Sequence, residues 1–171
     1  MSARISIGKI VIALASALAL AVLTASTASA QIAKSGKPRG PTGFHGEGTL
    51  RDFGDGNMGW FGEFWGIGYN DEGKGFMHDV SWWCTGQVSL SGGKSVNAGG
   101  FCTITDKDGD KINLIWQQEK VVPAGTSYNK GTYLSGTGKY QGITGYYILE
   151  GSALADRNWT TRITGGEYRL P

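Results

Sequence analysis

Glu63 and His78 are the residues of this chain whose types and placement suit proton transfer. Read as strands, their segments put Glu63 on one face with Phe61, Trp65, Ile67 and Tyr69, and His78 on one face with Phe76, Val80, Trp82 and Cys84, because alternate residues of a strand point the same way. If both faces turn inward, a carboxylate and an imidazole share an enclosure walled by Phe61, Trp65 and Trp82. Burial raises a carboxyl's proton affinity unless a cation pairs with it, so the pair is a candidate acid/base couple for a cofactor-free isomerase or cyclase. The same placement fits a buried, hydrogen-bonded polar pair that only supports the fold. A one-residue change of register would reverse both faces.

Other chemistry-bearing patterns carry less. Asp106, Asp108 and Asp110 place three carboxylates within five residues, as loops that bind hard cations do. Gly109, however, precedes the third acid, and no glutamate closes the loop at EF-hand spacing, so a hairpin turn with solvated charges is the expectation. Two histidines in the whole chain leave no transition-metal cluster. A phosphate loop is excluded by spacing: Gly138-Lys139 is followed by Tyr140, and Gly93-Lys94-Ser95 has Val88 where the first glycine belongs. No metal and no cofactor are expected.

Residues 1–30 read as a secretory signal peptide. Arg4 and Lys9 precede the apolar run Ile10 to Leu23, and Ala28-Ser29-Ala30 supplies the small residues of a cleavage site. The run is too short for a comfortable membrane span, so no stable membrane anchor is expected. The leader holds two of the 16 basic residues and none of the 14 acidic ones, so the remainder is formally neutral. It lacks the basic stripe that nucleic-acid binding needs. Export to the periplasm or medium puts Cys84 and Cys102 in an oxidising compartment, where one disulfide is expected.

The elements that must position these residues are strands. Glycine fills 29 of 171 positions, more than twice the usual share, without a collagen-like period. Residues 31–43, with Pro38 and Pro41, read as an extended, mobile lead-in, and residues 44–171 read as one domain. Within it the apolar period is two, clearest from Phe76 to Leu90, and Asp108-Gly109 marks a hairpin. No stretch sustains a period of 3.6. About eight strands with regular turns point to an all-β fold, an antiparallel β-barrel ahead of a β-sandwich, since glycines inside strands suit tight curvature.

The segment Gly136-Thr-Gly-Lys-Tyr-Gln-Gly-Ile-Thr-Gly145 resembles that of small secreted bacterial barrels related to the allene oxide cyclase and dirigent proteins. An upstream Cys-x-x-x-Asp-x-Asp-Gly-Asp hairpin and a final strand ending Glu167-Tyr-Arg-Leu-Pro171 follow the same order of features. The resemblance implies an eight-stranded barrel whose interior holds apolar small molecules, and trimers in the plant relatives. It transfers no catalytic residue. The expectation is an exported barrel that binds an apolar or aromatic small molecule without catalysis. The alternatives are an isomerase or cyclase using Glu63 and His78, and a homo-oligomeric envelope interaction module, which would display aromatics such as Trp83 on an otherwise polar face.

Overall fold

The computed structural model describes residues 32–171, so the expected signal peptide lies outside the described residues. Ten strands follow in order: β1 (Ser35–Gly36), β2 (Gly40–Gly54), β3 (Asn57–Gly68), β4 (Val80–Ser91), β5 (Lys94–Asp106), β6 (Lys111–Gln118), β7 (Val122–Pro123), β8 (Thr126–Gly136), β9 (Thr144–Ala153) and β10 (Asn158–Arg169). Eight of them, all but β1 and β7, form a closed antiparallel barrel in which each strand pairs with the next. Closure comes from β10, which pairs with β9 on one side and β2 on the other. Closing the sheet removes its edges. The short β7 adds to β5, and β1 adds to β10 through Ser35↔Arg169 and Gly36↔Tyr168. The residues expected as a lead-in are therefore strapped to the last strand in part, and Gly40–Gly43 already belong to β2.

Packing inside the barrel follows from where the rings sit. The inner face of β2 and β3 carries Gly46, Gly48, Gly62, Gly66 and Gly68, and side chains from neighbouring positions lie over them. A Cβ at Gly66 would overlap the Gly43 carbonyl oxygen and stand 2.7 Å from the Phe44 ring, and one at Gly62 would overlap the Glu47 carbonyl oxygen and stand 2.6 Å from the Trp60 ring. Those separations are too short for any side chain, so the glycines make room both for the neighbouring strand's backbone and for the rings. The inner bulk of this wall is Phe44, Trp60 and Phe64, which alternate with glycines along their strands.

The faces expected for β3 are corrected by this arrangement. Phe61, Glu63, Trp65 and Ile67 point outward and are exposed, while Trp60, Gly62, Phe64, Gly66 and Gly68 line the interior. Both phases of β3 hold aromatics, so bulk alone did not define the buried face; the space needed by crossing rings does. On β4 the expected phase holds from Val80 onward, with Val80, Trp82 and Cys84 buried. It fails at residues 76–79, because Met77 (φ 56°) and Asp79 (φ 55°) take left-handed conformations that interrupt the alternation.

Candidate functional site

Alternating strand directions give the barrel two different ends. One is closed by the connection between β3 and β4, which folds Phe76 and Met77 inward. Phe76 stacks on Tyr168 with ring centroids 3.7 Å apart, and the Tyr133 hydroxyl donates to Met77 Sδ at 3.4 Å. Burial pushes the Tyr133 phenol well up, so it is a neutral donor at ordinary pH.

The Gly136–Gly145 segment fastens this closed end. Thr137 accepts from the Lys111 N–H and donates its own N–H to the Lys111 carbonyl. The Lys139 ammonium reaches into the β5–β6 hairpin, 2.6 Å from Asp106 Oδ2 and 3.9 Å from Asp110 Oδ2, with Asp108 as its third partner. Gly138 (φ 49°) passes so close to Asp110 that a side chain there would overlap its carboxylate. The cation these carboxylates hold is thus the chain's own lysine, and Asp106, only 5% exposed, is not the solvated turn residue expected. Burial alone would raise its carboxyl, but Lys139, the Tyr140 hydroxyl and the Asp108 N–H together hold it below the usual carboxylate value.

The opposite end is open. A cavity of about 310 Å³ enters between Leu50, Leu90, Thr126 and Ala153 and runs into the barrel. Its walls are aromatic: Trp159, Trp60, Phe64 and Trp116 follow one another with ring centroids 5.7 to 6.4 Å apart, and Phe44, Trp82 and Tyr147 continue inward. Edge-to-face contacts fix most of these rings against one another, so the walls hold their shape without a ligand. Exposed Leu50 and Phe53 near the end of β2, with Val121 and Leu154 in the β6–β7 and β9–β10 connections, extend the apolar surface at this end of the barrel.

Most of the polar residues lining this cavity come from β5, β6 and β8, with Thr161 of β10 apart from them. Gln118 on β6 and Asn129 on β8 are directly opposite each other across the strand pair and both line it, as does Ser95. Gln118 Nε2 donates to the carbonyls of Ser95 and Lys120, both at 2.8 Å, while its Oε1 accepts from Ser95 Oγ at 2.6 Å. Asn129 Oδ1 is buried and has no hydrogen-bond partner among the described residues. Tyr147 is the cavity's one titratable lining residue, and burial pushes its phenol far above neutral pH.

The sequence-based site residues divide accordingly. Trp82 lines the cavity as expected, whereas Phe61 and Trp65 lie on the outer wall. Glu63 is exposed on that wall, paired in register with Glu47 and Thr85. His78 sits in the β3–β4 connection at the closed end, where Nδ1 accepts from the Asn70 N–H at 3.4 Å and the ring packs on Tyr69. The two are not brought together, so the acid/base couple inside the barrel does not exist. Cys84 and Cys102 face each other across β4 and β5 and are bonded, consistent with an oxidising compartment. Sequence reasoning missed Gln118 and Asn129, since polar residues near strand ends look like solvent-facing positions. No family model, curated protein or solved structure matches the chain.

Proposed function

We propose that the protein is an exported barrel that binds an apolar, ring-bearing small molecule in its open-ended cavity, without catalysis. The observation that carries this reading is the 310 Å³ cavity walled by Trp60, Phe64, Trp116 and Trp159. Pockets for small organic ligands have this size and lining, with few polar groups. A cavity of about 150 Å³ already accommodates benzene, so two fused rings are a reasonable occupant. The neutral Tyr147 phenol offers no acid or base of suitable strength there, which argues for holding a molecule rather than moving its protons. The resemblance of Gly136–Gly145 to allene oxide cyclase and dirigent barrels supports the same class of contents. Native mass spectrometry of gently purified protein, beside a denatured sample, tests the reading. An extra mass lost on denaturation is expected; an empty barrel that also shows no saturable naphthalene binding refutes it.

A second reading, self-association, rests on the outer wall. Trp65 and Trp83 are direct cross-strand neighbours there, 42% and 55% exposed, with Phe61, Ile67 and Phe101 nearby. The occupant this face suits is a second copy of the chain, since residues 32–171 carry balanced charge and like copies do not repel. Sedimentation velocity across a concentration series tests it. Wild type should form oligomers that the double variant Trp65→Ser, Trp83→Ser does not, and a monomer at every concentration refutes the idea.

A further inference from the structure

We infer that the cavity's ligand carries a hydrogen-bond donor, an O–H or N–H on an otherwise apolar ring system, and that Asn129 Oδ1 is the group that accepts it. This deepens the ligand-binding reading and rests on it. Asn129 lines the cavity on the inner face of β8, one inward position deeper than Ser127 and next to Gly131, which lies beneath the Tyr147 ring. Its amide oxygen is shielded from solvent and unpartnered.

The neighbours explain why no protein group satisfies it. On one side stands Gln118, the natural donor across the strand pair, but both of its N–H groups are committed to the Ser95 and Lys120 carbonyls. On the other side stands Leu149, which has no side-chain donor. The bond from Ser95 Oγ to Gln118 Oε1 pins the glutamine in that committed orientation. A buried polar atom without a partner is disfavoured, and Asn129 is one of the residues that line the cavity. Of the other three such atoms, Asp106 Oδ2 faces the Lys139 ammonium, and Trp82 Nε1 and Thr42 Oγ1 lie beside Gly68, away from the β6–β8 side where Gln118 and Asn129 stand.

An unanchored hydroxyl is a handicap in such a cavity, because it loses its water partners on entry. The affinity ratio of 2-naphthol to naphthalene therefore reports the anchor. By calorimetric titration of the full-length secreted protein, that ratio should fall by about 10-fold or more on Asn129→Leu. 2-Methoxynaphthalene tests the same point in the wild type without any variant: it keeps the oxygen, lacks the donor, and should bind about 10-fold more weakly than 2-naphthol. Equal naphthol and methoxynaphthalene affinities, or a ratio unchanged in Asn129→Leu, overturn the anchor and leave the cavity reading intact. Failure of naphthalene and naphthol alike to bind overturns both.

Discussion

Replacing Lys139 by methionine removes the cation from the closed end while keeping most of the aliphatic stem. Asp106 is then left with its carboxylate 95% covered, since its side chain is 5% exposed, and without its nearest counter-charge. Breaking a fully buried pair in this way costs about 3–5 kcal/mol. Two features reduce that figure. Asp106 Oδ1 keeps the Asp108 and Asp110 N–H groups at 2.9 and 3.1 Å, and the Lys139 side chain is 23% exposed, so water already screens part of the interaction. A loss of about 2–3 kcal/mol at pH 7 is expected, which for a domain of this size lowers Tm by about 6–12 °C.

The pH dependence separates this from a loss of packing. The Asp106 carboxyl is depressed in the folded state, so its contribution is present above its unfolded pKa and disappears as pH falls through the folded one. For Lys139, burial works against the charge, but Asp106 and Asp108 outweigh it and raise the ammonium; its contribution is full below its unfolded pKa and disappears as pH rises through the folded one. The gap between wild type and Lys139→Met, measured by urea titration, should therefore be widest between about pH 5 and pH 10 and narrow towards pH 2. A gap under about 0.5 kcal/mol at pH 7, or one that persists unchanged at pH 2, would refute the latch.

Two further outcomes follow from the placement of residues. Converting both Cys84 and Cys102 to serine opens a bridge with a sequence separation of 18, and urea titration should show a loss of about 3 kcal/mol, less if hairpin contacts persist in the unfolded chain. Glu63→Gln should leave both stability, within about 0.5 kcal/mol, and naphthalene affinity unchanged, because Glu63 stands on the outer wall; a large drop in affinity by calorimetry would return the residue to the cavity.

Most of the barrel was legible in the sequence. The period of two, the Asp108-Gly109 hairpin and the even cysteine count give the strands, one connection and the bridge, because each depends on local chemistry. The face of β3 was not legible from bulk, since Trp60 and Phe64 compete with Phe61 and Trp65. The signal that decides it is the phase of glycine. Gly62, Gly66 and Gly68 on β3 share one phase, as do Gly46 and Gly48 on β2, and in a small barrel a bare backbone marks where a ring from a neighbouring position crosses. The wrong phase carried Glu63 inward with it, and the break in alternation at residues 76–79 did the same for His78, so the acid/base pair came from both together.

The same glycines account for why an open cavity and a firm scaffold coexist. A barrel of eight strands has an interior that side chains ordinarily fill. Here the lower half follows that rule, with Phe76, Met77, Tyr133, Tyr140 and Tyr168 filling it and the Asp–Lys latch fastening the turns beneath. In the upper half, rings lie flat over glycines against the wall, Trp60 over Gly48 and Gly62, and Trp116 over Gly86. Indoles held in this way cover the wall, and Trp159, Phe64 and Trp116 line the space left between them. Larger residues at Gly48 or Gly86 would push those rings into that space. The glycine content that makes the composition unusual is thus tied to the cavity itself, and the Gly136–Gly145 segment, however suggestive of a ligand loop, belongs to the end that shuts.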